Sequence, residues 1–194
     1  MKDNKNDITV IAEIGSVHDG SYGNAIKLIE LAAKCGASAV KFQTHIAFAE
    51  TLSDAPNPPY FKEESRNDYF ERTAFTMEQW EGLMRKSKEC DLLFLSSPFS
   101  LEAVDLLEKI GISAYKIPSG EVTNIPLLEK ISKIEKPVFL SSGMSSWYEL
   151  DIAVKILKNC DLTVMQCSSI YPCPPTKVGL NILGEMRERY GTRI

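Results

Sequence analysis

The sequence predicts an α/β protein built on a parallel sheet, and three observations carry that prediction. Six short apolar runs begin near Ile8, Ser38, Leu92, Ser113, Pro137 and Leu162. Each is followed by a stretch with apolar residues three and four apart, the spacing of a helix that buries one face. The runs start 21–30 residues apart, with one interval of 54. Parallel strands need a crossover of roughly a dozen residues or more, usually a helix, so spacings of this size fit βαβ units.

Each element can be read in turn. The first run leads into Ile11-Ala12-Glu13-Ile14-Gly15, and Ala25, Ile26, Ile29, Leu31 and Ala32 mark the helix after it. Gly36 suits the left-handed residue that closes a helix. In the second run, Ala39-Val40-Lys41-Phe42-Gln43-Thr44-His45, alternation places Lys41, Gln43 and His45 on one face. The long interval then holds residues 46–76, with Pro56, Pro58, Pro59, Tyr60, Phe61, Tyr69 and Phe70. This segment reads as a long loop, and such loops inside tight units are usually functional. A helix with Trp80, Leu83 and Met84 follows. The third run ends Leu95-Ser96-Ser97-Pro98-Phe99, before a helix with Val104, Leu107 and Ile110 that Gly111 closes. The fourth reads Ala114-Tyr115-Lys116-Ile117, then Pro118-Ser119-Gly120-Glu121, then a helix with Leu127, Leu128, Ile131 and Ile134. The fifth ends Leu140-Ser141-Ser142-Gly143-Met144, with Leu150, Ala153, Val154 and Leu157 behind it. The sixth ends Cys167-Ser168-Ser169-Ile170-Tyr171-Pro172, and a last helix is expected over residues 180–190.

Two parallel architectures accommodate these units, a doubly wound sheet and a (β/α)8 barrel. Lys41 and Lys116 lie inside strands near their C-terminal ends, where the mouth of a barrel gathers polar residues, and this favours the barrel. A closed barrel needs eight units, and six are readable. Thr192-Arg193-Ile194 reads as the start of a seventh strand. Residues 1–194 are therefore expected to form an incomplete barrel of this type, without strands seven and eight.

Composition removes several classes of function. Of 194 residues, 44% are apolar and 25% charged, with a formal net charge of −4, the balance of a globular protein with a substantial core. No apolar run reaches the roughly 18 residues of a membrane span. Met1–Asp7 lack the apolar centre of a secretion signal, so a cytoplasmic location is expected. The absence of a basic run argues against nucleic acid as a partner. Five cysteines without a C-x-x-C pair read as free thiols.

The chemistry concentrates at strand ends. Glu13 closes an apolar run and reads as a carboxylate for hydroxyls or a cation. His18, alone in a turn, reads as structural. Lys41 and Lys116 come from different strands, and two neighbouring ammonium groups call for an anion or for acidic partners such as Glu13 and Glu121. Serines recur at four successive strand ends, as Ser97, Ser119, Ser141 and Ser169. Hydroxyls around a lysine make a cradle for phosphate or carboxylate. No Walker or G-x-G-x-x-G loop is present.

These stretches resemble the sialic acid synthase family, which includes N-acetylneuraminate, legionaminic and pseudaminic acid synthases. The matching segments are AEIGSVHDG at 12–20, AVKFQTH at 39–45, FLSSPFS at 94–100, YKIPSGEVTNIPLLEKI at 115–131, KPVFLSSGMSS at 136–146 and CSSIYPCPP at 167–175. The resemblance implies a TIM-type barrel that condenses phosphoenolpyruvate with an N-acetylated amino sugar, N-acetylmannosamine or a relative. The product would be a nine-carbon 2-keto sugar acid, with phosphate released. It implies that Lys116, Ser97, Ser119, Ser141 and Ser169 hold phosphoenolpyruvate, and that Lys41, Gln43 and Tyr171 contact the sugar. Glu13 and Glu121 would be catalytic carboxylates, with Lys116 beside them. A divalent metal ion, Mn2+ or Mg2+, is implied, with histidine ligands on strands beyond residue 194. A C-terminal antifreeze-like domain and a homodimer are implied for the full-length enzyme. The chain departs from the family at Val17 and Asp19, where asparagines are usual, at Ser169, where asparagine is frequent, and at Gln166, where histidine is common. A barrel fragment that binds phosphate or sugar without catalysis remains the alternative reading.

Overall fold

Six strands pair in chain order, all parallel, in one sheet: β1 (Ile11–Gly15), β2 (Ala39–Thr44), β3 (Leu93–Pro98), β4 (Ala114–Ile117), β5 (Val138–Ser141) and β6 (Leu162–Met165). This computed structural model describes residues 8–52, 54–59, 61, 63–191 and 193. A doubly wound sheet reverses its strand order at a switch point. The uninterrupted order β1 to β6 does not, and it follows the wall of a barrel. One cavity of about 140 Å³ is lined by Ile11, Ala39, Leu95, Ala114 and Phe139, from five successive strands. Strands sit about 4.8 Å apart, so the outer two of five in a flat sheet would be too distant to share so small a space. The sheet is rolled, with this apolar layer at its base.

Between the strands run α1 (Tyr22–Lys34), α2 (Ala47–Glu50), α3 (Arg66–Thr73), α4 (Met77–Glu89), α5 (Leu101–Ile110), α6 (Ile125–Ser132) and α7 (Trp147–Ile156), with α8 (Ile182–Tyr190) after β6. The opposite face of the sheet packs on these helices through Val40, Phe42, Phe94, Tyr115, Ile117, Leu140 and Val164, all essentially buried. Side-chain caps start α1, α4, α5, α6 and α7 at the end that carries the strand termini. Ser21, Ser100 and Asn124 accept the backbone N–H three residues on. Thr76 with Gln79, and Ser146 with Glu149, form reciprocal capping boxes. Gly111 closes α5 in the left-handed conformation.

Two differences from expectation have physical reasons. β1 starts at Ile11 rather than near Ile8, because the register Ile11↔Ala39 leaves no partner strand further back, and Ile8 is exposed. Residues 46–76 are not a plain loop. α2 and α3 form there, with Ser65 capping α3 and Phe70 buried beneath it. Gly36, one past the cap residue Cys35, has φ near 79° and closes α1 as expected, its N–H reaching the Ala33 carbonyl. Arg193 bridges Thr163 in parallel, and its carbonyl accepts the Val164 N–H, as a further strand beside β6 would. Thr192, Ile194 and Tyr60 lie outside the described residues.

Candidate active site at the strand ends

The period-two alternation of β2 aims Lys41 and Gln43 at the inner face while Val40, Phe42 and Thr44 face the helices. Two clusters result. The first forms over β4, β5 and β6. Lys116 donates to Ser141 Oγ and, at 3.0 Å, to the Ile117 carbonyl. Cys167 Sγ donates to the same Ser141 oxygen at 3.2 Å. Gly143 is the packing centre of this cluster. A Cβ there would lie 2.7 Å from both Ser119 Oγ and Ser169 Oγ and 3.3 Å from Cys167 Cβ. The bare glycine lets the two hydroxyls close in beside Cys167, whose thiol reaches Ser141.

Burial pushes the Lys116 ammonium down to about 8. The Lys41 charge pushes the same way, while Cys167 and Glu13 oppose it. A largely desolvated ammonium bonded to a serine hydroxyl, with no carboxylate in contact among the described residues, is a site prepared for an anion.

The second cluster joins β1, β2 and β3. The regular β1–β2 register sets Glu13 opposite Lys41, and the ladder slips only after it, where Gly15 takes φ near 53°. Glu13 Oε2 accepts from Lys41 Nζ at 2.6 Å, and Lys41 also reaches Ser97 Oγ at 3.4 Å. Lys41 thus has the acidic partner that Lys116 lacks. Gln43 sits one pleat further along, facing Ser97 in the β2–β3 register.

Residues from the long interval cap this cluster. His45 stacks between Phe70 and Phe99, with ring centroids 3.8 and 4.1 Å away. Its Nδ1 lies 2.9 and 3.0 Å from the two oxygens of Glu50, and its Nε2 lies 3.2 Å from Gln43 Oε1. Glu121, in the short turn after β4, accepts from Asn124 Nδ2 at 2.7 Å. Asn124 uses its Oδ1 to cap α6, so one side chain both starts the helix and holds the carboxylate. Burial raises the Glu121 pKa above the usual carboxylate range; the Asn124 bond opposes this, and the Glu50 charge adds to it.

The structure therefore brings Lys116, Ser141, Ser119 and Ser169 together, and Glu13, Lys41, Ser97 and Gln43 beside them. Tyr171 is 94% exposed. His18 is buried against Phe75, and its Nδ1 accepts the Gly20 N–H, which is the structural role expected of it. Gln166 ties the β6 end to the Val178 and Gly179 carbonyls. Glu50, Asn124, Gly143 and Cys167 are site residues that pattern reading did not single out. The Ser-Ser-Gly and Asn-x-x-Leu signals were visible, but they fix turns and caps without naming a neighbour across the barrel. Among the described residues no group of three or more His, Cys, Asp or Glu is placed to hold a metal ion, and both histidines are engaged as above.

The chain is 36% identical over 191 residues to the N,N'-diacetyllegionaminic acid synthase of Campylobacter jejuni, covering 93% of this chain and 57% of that protein. It is 30% identical over 187 residues to the human N-acetylneuraminate-9-phosphate synthase, covering 93% and 52%. Among solved structures, an N-acetylneuraminic acid synthetase from Leptospira borgpetersenii, crystallised with citrate, superposes with a TM-score of 0.84 at 27% identity, covering 96% of this chain and 63% of that one. The chain spans about half the length of the curated relatives it matches. The model of the NeuB family matches residues 28–194, most of the chain, and the chain belongs to the NeuB family.

Proposed function

We propose that the protein carrying this chain condenses phosphoenolpyruvate with an N-acetylated amino sugar, giving a sialic-acid-type nine-carbon 2-keto acid and inorganic phosphate. The observation that carries this reading is the Lys116–Ser141 pair, flanked by Ser119, Ser169 and Gly143. It offers a desolvated cation and several hydroxyls to a small, strongly anionic substrate. The named relatives are synthases of this product class.

The residues divide the chemistry. Lys116 and the serines hold the phosphate and carboxylate of phosphoenolpyruvate. Gln43 and Lys41, across the mouth, hold the acceptor sugar. C3 of phosphoenolpyruvate attacks the sugar aldehyde, and positive charge develops at C2. Water adds there, and phosphate leaves by C–O cleavage. Glu13 is committed to Lys41 at 2.6 Å and acts as a fixed negative charge facing that developing cation. Glu121 is the group for proton transfer, because burial moves its pKa toward neutrality, where a general acid or base works best. No step is assigned to a metal ion, since the residues described here give it no ligand set.

The test is phosphate release from phosphoenolpyruvate by the protein as its gene encodes it, with and without N-acetylmannosamine or a 2,4-diacetamido sugar. Release that depends on an acceptor supports the reading. A protein that binds phosphoenolpyruvate yet releases no phosphate with any such acceptor contradicts it.

A further inference from the structure

We infer that Glu50 and His45 are positioning residues that set which side of the Gln43 amide is offered to the acceptor sugar. The inference rests on the proposed function only for the identity of the sugar; the relay itself rests on geometry. Glu50, from the short helix α2, presents both carboxylate oxygens to His45 Nδ1, and the two side chains are 4% and 10% exposed. A carboxylate accepts only, so Nδ1 carries a hydrogen. The ring cannot turn over, because Phe70 and Phe99 clamp both of its faces. Nε2 is thereby aimed at Gln43 Oε1, 3.2 Å away; a carbonyl oxygen also only accepts, so Nε2 carries a hydrogen as well and the ring is the imidazolium paired with Glu50.

The far end of the amide agrees. A Cβ on Gly15 would lie 3.7 Å from Gln43 Nε2 and 3.0 Å from Glu13 Oε1, so the Gln43 NH2 group sits on the side of the Glu13 carboxylate. Donor and acceptor alternate from Glu50 through His45 to Gln43 and on toward Glu13. In this state Gln43 turns two N–H donors into the mouth, fit for an oxygen of the sugar that accepts hydrogen bonds. Without a hydrogen on Nε2 the amide would reverse and present its carbonyl, which selects a hydroxyl donor instead. The charged groups around the imidazole are Glu50 from α2, Arg66 of α3, whose guanidinium lies over Phe70, and Glu121 after β4.

The substitution Glu50→Gln keeps size and an acceptor but removes the charge. The expected result is a rise in KM for N-acetylmannosamine of about five- to tenfold, the worth of one misdirected hydrogen bond. KM for phosphoenolpyruvate should stay within twofold, and the 15N resonances of His45 should shift. Gln43→Glu, which deletes the N–H pair and leaves Glu50 and His45 untouched, should give the same split between the two KM values. Equal changes in both KM values, or an unchanged acceptor KM in both folded variants, would overturn the inference. If the unsubstituted protein condenses no acceptor, the proposed function fails, and the relay is judged by the His45 resonances alone: shifted in Glu50→Gln they uphold it, unshifted they refute it.

Discussion

Replacing Lys116 with methionine separates binding from stability more cleanly than any other change at this site. Methionine keeps the unbranched stem and removes only the ammonium. An anion then loses one charge-assisted hydrogen bond, worth about 1.5–3 kcal/mol, so the Kd for phosphoenolpyruvate should rise about 10- to 100-fold. The fold should not suffer equally. Moving an ordinary lysine from 10.5 to about 8 means that the charged form is held in the folded state at a cost of about 3 kcal/mol, which methionine removes. Ser141 still has Cys167 as a partner, so the unfolding midpoint in the absence of ligand should hold or rise. Because Lys116 is depressed in the fold, the unfolded chain binds more protons between about pH 8 and 10.5, and wild-type stability rises with pH across that window. Affinity runs the other way. Above about pH 8 binding must take up a proton, so phosphoenolpyruvate affinity falls as pH rises, and the methionine variant loses that slope. Titration calorimetry from pH 7 to 9.5, with thermal unfolding alongside, reads all three effects. A folded variant whose Kd stays within twofold of wild type at pH 7 would refute the anion cradle.

Glu121→Gln should lower turnover about 100-fold while phosphoenolpyruvate affinity, by calorimetry, is unchanged; near-normal turnover would remove Glu121 from proton transfer. Asn124→Ala should cost about 1 kcal/mol through the lost cap of α6, seen in denaturant unfolding. Since the Asn124 bond holds the Glu121 carboxyl down, the same variant should move the acidic limb of the kcat profile to higher pH. Gly143→Ala should place a methyl 2.7 Å from Ser119 and Ser169, turn their hydroxyls away and weaken phosphoenolpyruvate binding at least about tenfold, with an unfolding midpoint close to wild type.

The strands were legible because burial on both faces writes them as short apolar runs, and Lys41, Gln43 and Lys116 stood out as polar interruptions on the inner face. All six were found, five of them to within a residue. The helices of residues 46–76 were not legible. α3, Arg-Asn-Asp-Tyr-Phe-Glu-Arg-Thr, has little apolar periodicity and is anchored mainly by Phe70 and the Arg72 ion pairs to Asp19 and Glu64. The Lys116 cluster was anticipated from serines at strand ends, but the Glu50–His45 pair was not. A five-residue separation matches neither a helix face nor a strand face, and only the fold of α2 over β2 brings the two together. Tyr171 was legible only from its position in CSSIYP, since its side chain is exposed and no packing fixes it.

The central claim is tested most directly with phosphoenolpyruvate labelled with 18O in the bridge between C2 and phosphorus. With an N-acetylated amino sugar present, the account predicts acceptor-dependent phosphate release with the label in the phosphate, as water adds at C2 and the C–O bond breaks. Release of unlabelled phosphate, or release indifferent to the acceptor, would contradict it.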